Sequence, residues 1–376
     1  MSADQVSLSI LQGSGSVYGS GSMQDVIYDR ISQQYQDRIE KASEARKEVY
    51  DSKAKYYETQ NEKLMLVSGG IKNAVDNVSS AVDSAKKIKD MIFDLKVYLE
   101  SADKDSTYYA QEFDKKLAAI YEEVQNADGV YNLLGAKSRT NYESNEYDLQ
   151  IDEKGTTVTL QGYNMSSDYM VTDSDGKYWV ADMYGGIKRY DNYSSGDLAD
   201  ETTYSTVQAA AAGSGSATSK VITRTDTNYS SSSVSFDVGG SSYTGTVSKG
   251  GLEIGQSWLY GRFSDVDGIA QATEDVNDAL EDAELIVTQL TAQKATIEGE
   301  YNSLTNTIGE NQSAMNSAMI AQMEEEYDFA LKMRTEYQGV ITSIASMAQT
   351  QGQYGQIFGS IMGDNPLTNY MFDQTA

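Results

Sequence analysis

Two stretches far apart in the chain, one near each end, repeat apolar residues at alternating intervals of four and three. In the C-terminal stretch, Val276, Leu280, Ala283, Val287, Leu290, Ile297, Tyr301, Leu304 and Ile308 fall on one heptad seam whose only polar occupant is Lys294. In the N-terminal stretch, Val78, Val82, Ala85, Ile88, Ile92, Leu95 and Leu99 do the same, and Phe113, Leu117, Ile120 and Val124 resume the spacing after a break. A seam of this period wants a partner helix, so the two ends of the chain are expected to meet. Val78, Val82, Ile92, Leu95, Leu99 and Leu117 on one side, with Val276, Leu280, Val287, Leu290, Ile297 and Leu304 on the other, form the predicted seam of an intramolecular bundle.

The segment between the seams is rich in Ser, Gly and Tyr and changes period from helical to alternating. In YDLQIDEKGTTVTL, Tyr147, Leu149 and Ile151 precede a turn at Lys154 and Gly155, and Val158 and Leu160 follow it, which predicts a hairpin. MVTDSDGKYWV predicts a second hairpin on the Asp175-Gly176 turn, and Val221 to Val247 offers further Val, Thr, Tyr and Phe-rich strands. AAAAGSGSATS, Ala209 to Ser219, has the composition of a flexible loop. The expected class is therefore α+β: a long antiparallel coiled-coil bundle made by both termini, with a mainly β domain inserted in the middle.

Residues 1 to about 24 are Gly/Ser-rich and weakly patterned. A mostly polar helix is predicted from Asp25 to about Leu66, interrupted by Ser68, Gly69 and Gly70, with the heptads to Leu99 following. A second helix, N-capped at Asp105 or Ser106, runs to about Ala127, where Asp128 and Gly129 stop it. Helix resumes near Asp265 and continues to about Met362, weakened at Gly299, Gly309 and Gly339, and GDNPLTNYMFDQTA lies beyond it.

Magnitudes decide which of these helices can stand alone. Burying a Leu, Ile or Val gains about 1.5–3 kcal/mol, whereas ordering each residue costs roughly 1–2 kcal/mol of backbone entropy. The outermost segments are sparse in apolar residues, so their stability is expected to come from assembly. Ile27, Ile31, Ile39, Met323, Tyr327, Tyr337, Ile341 and Ile344 are the predicted assembly interface. Three regions result: 1–45 with 325–376 as terminal helical segments, 46–162 with 263–324 as a helical bundle carrying a hairpin, and 163–262 as the inserted, surface-exposed β domain.

Composition narrows the chemistry. The formal charge of −27 disfavours nucleic acid and anionic membrane surfaces. With no Cys and no His, disulfides, thiolate and imidazole catalysis and most zinc sites are excluded. No cofactor is called for. No stretch approaches the ~18 apolar residues of a spanning helix, and the start lacks a basic region followed by an apolar one, so neither membrane insertion nor a cleaved signal peptide is expected. GSGSATSK, Gly213 to Lys220, lacks the second Gly of a phosphate-binding loop, and DSDG, Asp173 to Gly176, reads as a turn rather than a calcium loop. No carboxylate pair stands out among 56 acidic residues, and an enzyme is not expected. The 28 tyrosines suit either half-exposed strands or a sugar-binding surface.

The order of parts resembles a known family. ESADKDSTYYAQEFDKKLAAIYEEVQNADGVYNLLG, Glu100 to Gly135, is similar to the stretch of bacterial flagellins in which a small polar loop leads into a helix, a turn and a "G-x-x-L-L" segment. The hairpin LQIDEKGTTVTL sits where flagellins carry one, and the Asp265 to Ile308 helix with the tail MAQTQGQYGQIFGSI resembles their C-terminal helices. The resemblance implies a divergent, flagellin-like subunit, secreted without a cleaved signal peptide, that polymerises into an extracellular filament for motility. It also implies partners: other copies of the same chain, an export chaperone, and cap or hook-associated proteins. A coiled-coil tip or filament subunit of an injection-type secretion system, and a surface adhesin with a glycan-binding β domain, are the alternatives.

Overall fold

The computed structural model describes residues 23–127, 131–138, 140, 142–206 and 220–363, with side chains from 26 to 357. The fold is mixed helix and antiparallel sheet. By its internal contacts the chain divides into two compact units, Lys63–Asn306, and Met1–Glu62 with Thr307–Ala376.

Helix α1 spans Met23–Leu99, and α2 spans Ser106–Asn126. Ser68, Gly69 and Gly70, expected from the sequence to interrupt α1, lie inside it. Each glycine costs about 1 kcal/mol relative to Ala in a helix, but Leu64, Ile71 and Ala74 on either side are buried. Their burial outweighs the propensity. A Cβ at Gly69 would meet nothing within 4 Å, so Gly69→Ala is expected to stabilise by about 0.4–1 kcal/mol in thermal denaturation. A loss would show that the helix bends there in solution. Asp105 caps α2, its Oδ1 accepting the Tyr108 N–H at 3.0 Å. The helix ends at Asn126 with Ala127 as its C-cap, and Asp128 and Gly129, the expected stop, lie outside the described residues.

Strands β1 (Glu146–Gln150) and β2 (Thr157–Gln161) form the first hairpin, pairing Leu149 with Val158 and Tyr147 with Leu160. Asp152 organises its turn by accepting the N–H groups of Lys154 and Thr156 at 2.9 and 2.8 Å. The larger sheet holds β3 (Tyr169–Asp173), β4 (Tyr178–Ala181), β5 (Gly186–Asn192), β6 (Asp197–Leu198), β7 (Tyr204–Ser205), β8 (Ile222–Arg224), β9 (Ser233–Val238) and β10 (Ser241–Lys249). Its order is β6-β5-β4-β3-β10-β9-β8, with β7 on β5. Ser205 of β7 also bridges to Val221 beside β8, and its N–H donates to the Lys220 carbonyl at 2.8 Å. The sheet therefore curls until its ends meet, which leaves little open edge for stray pairing.

Alternation sends Tyr169, Val171, Trp179, Ile187, Val234, Phe236 and Val238 to the inside of this curl. The second hairpin turn forms at Asp175-Gly176 as expected, and Asp173 anchors it, accepting the Asp175 and Lys177 N–H groups at 3.0 and 2.9 Å. Asp173 also accepts from Trp179 and Arg189, so a calcium ligand role has no oxygen left to use. The predicted loop from Ala209 to Ser219, with most of GSGSATSK, lies outside the described residues.

A 3-10 segment, Ser257–Phe263, leads from the sheet to α3, Val266–Gly363, which Asp265 caps by accepting the Gly268 N–H at 2.8 Å. Within Lys63–Asn306 the long helices run antiparallel: Lys294 meets Ser79 at 3.0 Å, and Lys89 meets Glu284 at 3.7 Å. Within the other unit Arg38 lies 3.9 Å from Glu336, and Asn311 donates to Asn61 at 2.9 Å. Gly363, the first of the residues expected beyond the helix, is its last residue instead, and the rest, 364–376, are outside the described ones.

Candidate assembly surface and the buried junction

In Lys63–Asn306 the seam is deep. Val78, Val82, Ile92, Leu95, Leu99 and Leu117 are buried, as are Val276, Leu290, Ile297 and Leu304, while Leu280 and Val287 are half-buried. Two heptad series make the α1 face: Ile71, Val78, Ala85, Ile92 and Leu99, and between them Ala74, Ala81, Ile88 and Leu95. On α3, Val276, Ala283, Leu290, Ile297 and Leu304 recur one heptad apart, and Ala272 and Ala279 fill the alternate positions above Leu280. Sequence reading misses Ile71 because it breaks the helix at Ser68, Gly69 and Gly70 just before it, and misses the buried alanines Ala74, Ala81, Ala272 and Ala279 because it favours large residues.

The other unit is built differently. Its buried apolar residues are Ile39, Ala330 and Met333 among those described, with Tyr35, Phe329 and Tyr337 packed around the Ile39–Met333 pair. The Tyr35 and Tyr337 rings meet edge to face at 5.6 Å, and the Arg46 guanidinium lies 4.4 Å over the Phe329 ring. Of the predicted interface residues, Ile39 is buried, Ile31, Tyr337, Ile341 and Ile344 are half-buried, and Ile27, Met323 and Tyr327 are exposed. A second apolar row therefore lies open on α3: Ile320 is 55% exposed, Met323 49%, Tyr327 56% and Leu331 47%. Their spacing of three and four places them on one helix face, flanked by Glu324 and Asp328. Farther along, the sequence from Tyr337 to Gly363 contains no Asp, Glu, Lys or Arg, in a chain that is 23% charged.

A second constellation, inside Lys63–Asn306, ties the curled sheet to the helices. Asp114 of α2 is buried and accepts the Ser257 N–H at 2.7 Å and the Ser257 hydroxyl at 2.8 Å. Burial pushes its carboxyl up to about 7, and the Ser257 hydrogen bonds and the Arg262 charge only partly pull it back. The Trp258 indole N–H donates to the Tyr169 hydroxyl at 2.6 Å, which donates in turn to Gln256 Oε1 at 2.6 Å. Tyr260 donates to Asp275 at 2.5 Å, and Lys249 pairs with the same carboxylate. Gly261, Arg262 and Phe263 all adopt left-handed backbone, with φ of 63°, 54° and 61°. For the two non-glycine residues that costs roughly 1–2 kcal/mol each, held in place by the packing of Phe263 on Phe113 at 5.2 Å.

These groups join the curled sheet to the helices, and both carboxylates among them, Asp114 and Asp275, are engaged by neighbouring side chains. Among the described residues no cluster of acidic side chains could hold a metal ion, and no helix is long and apolar enough to cross a membrane. No protein-family model matches this chain, and no curated protein matches it.

Proposed function

We propose that this chain is a structural subunit that self-assembles into an extracellular helical filament, flagellin-like, with no catalytic role. In this reading both termini form a coiled coil, the inserted β domain faces outward, and the terminal helical unit joins one copy to the next. The chain leaves the cell without a cleaved signal peptide, and its partners are its own copies, an export chaperone and cap or hook-associated proteins.

The observation that carries the reading is the open apolar row Ile320, Met323, Tyr327 and Leu331, on a unit whose own buried core is only a handful of residues. Burying such side chains gains about 1.5–3 kcal/mol each, and among the described residues no element of the same unit covers them. A second copy is the occupant that supplies matching surface, because α1 of that unit leaves Val26, Ile27, Val49 and Tyr56 exposed as well. The charge-free stretch from Tyr337 to Gly363 supports the same conclusion: copies of a chain with net charge −27 repel one another, and they approach at least cost where they carry no charge.

The double variant Met323→Lys, Tyr327→Lys tests this. Both side chains are exposed, so the monomer's far-UV circular dichroism and melting temperature are expected to stay within experimental scatter. Sedimentation of concentrated protein is expected to lose its fast-moving polymer, since each buried lysine would carry an unpaired charge into the interface. Polymer formed normally by the variant would contradict the assignment.

A further inference from the structure

A cleft of about 350 Å³ opens beside the 3-10 segment, bounded by β8 and the residues that continue it. Three threonines on its wall, Thr223 of β8 and Thr225 and Thr227 just beyond it, are exposed. No protein acceptor or donor takes their hydroxyls among the described residues. The carboxylates in the wall are already engaged. Asp226 receives two N–H groups of Arg224, at 3.0 and 2.7 Å, and Asp265 receives the Tyr229 hydroxyl at 2.6 Å and the Gly268 N–H.

Arg262 also lines the cleft, and unlike Arg224, which pairs with Asp226, it makes no salt bridge among the described residues. Its Nη2 donates to the backbone carbonyls of Ile222 and Thr206. Its Nε is shut off from the cleft without an acceptor, whereas Nη1 is not enclosed and has no partner among the described residues, so Nη1 is the donor left for a ligand. Asp114, the carboxylate whose field reaches it, is held by Ser257. The segment that places Arg262 keeps it and Phe263 in a backbone region that L-residues rarely adopt. A strut between strands would need neither the charge nor the strained backbone. A planar guanidinium with free donor capacity is suited to a carboxylate or phosphate, and a row of hydroxyls beside it suits a ligand that carries hydroxyls of its own.

We infer that this cleft binds a small acidic saccharide, its carboxylate on Arg262 and its hydroxyls on Thr223, Thr225 and Thr227. The volume is at the small end of ligand sites, which fits one sugar ring. All the residues involved lie in Lys63–Asn306, so the inference stands or falls separately from filament formation.

Calorimetric titration of the full chain with glucuronate, glucose and inorganic phosphate tests it. Glucuronate is expected to bind saturably, with an affinity on the order of millimolar for so small a ligand. Glucose, which lacks the carboxylate, and phosphate, which lacks the ring hydroxyls, are each expected to bind at least about tenfold more weakly. Arg262→Gln should weaken glucuronate by about 10–100-fold, the range for one charge-assisted hydrogen bond pair. Because Arg262 also ties strands together, Thr225→Val, an exposed change, gives an independent reading and should weaken glucuronate by roughly threefold or more. No saturable heat with glucuronate, phosphate binding as tightly as glucuronate, or unchanged affinity in a folded Arg262→Gln or Thr225→Val protein would overturn the inference.

Discussion

Trp179→Ala is expected to destabilise Lys63–Asn306 by about 3–5 kcal/mol, the range for removing a large aromatic from a packed interior. Trp179 of β4 is fully buried against rings from β7, β9 and β10, with Tyr204, Phe236 and Tyr243 at 5.0, 5.3 and 5.0 Å. Its indole N–H donates to Asp173 at 2.9 Å, and the Arg189 guanidinium lies 5.2 Å over the ring. Burial would raise the Asp173 carboxyl, but the bonds from Arg189 and Trp179 more than offset it and hold its pKa below the usual value. The alanine variant thus opens a cavity and also takes one donor from a buried carboxylate. Trp179→Phe keeps most of the volume and is expected to cost roughly 1–3 kcal/mol, chiefly the lost hydrogen bond. Urea denaturation followed by near-ultraviolet circular dichroism distinguishes the two, and a loss below about 1 kcal/mol for the alanine variant would mean the curled sheet is loosely filled.

Asp114→Asn is expected to change how stability depends on pH. The native carboxyl is raised to about 7 from an ordinary 3.8, so between those values the folded protein holds a proton that the unfolded chain has released. Stability from this group is therefore greatest near the acid end of the window and falls as pH rises, by up to about 1.4 kcal/mol per pH unit, levelling off above pH ~7. Asn is neutral throughout, and its amide can still meet the Ser257 N–H and hydroxyl. The variant should match or fall slightly below the parent near pH 4 and exceed it by roughly 2–4 kcal/mol at pH 8. Other carboxylates slope the opposite way, including Asp200, which hydrogen bonding from Tyr204 holds at about 2. The quantity to follow is the difference between variant and parent in denaturant titrations across that range. A difference that does not vary with pH would mean Asp114 stays ionised in the folded protein.

Much of this architecture is legible in the sequence because it rests on local periodicity. The heptads of α1 and α3 announce a helix pair, and Lys154-Gly155 and Asp175-Gly176 mark their hairpins because those turns need particular backbone angles. What escapes is set by distant partners. Asp114 and Ser257 are 143 positions apart, and nothing near either one advertises a buried carboxylate. Gly69 and Gly70 read as a break because propensity is local, whereas the packing of Ile71 and Ala74 that overrides it comes from across the bundle. The closure of the sheet through Ser205 and Val221 depends on two short segments without a pattern of their own. On the terminal unit, the sequence marks Met323 and Tyr327 as apolar on a helix face, but only the structure separates them from Ile39 and Met333, which the intrachain pair already covers.

Electron microscopy of concentrated full-length protein, negatively stained beside the Met323→Lys, Tyr327→Lys variant, bears most directly on the proposed assembly. Long filaments of regular helical geometry from the parent, with only single particles from the variant, are the predicted result. Dispersed monomers from the parent at every concentration, or equal filaments from both proteins, would contradict it.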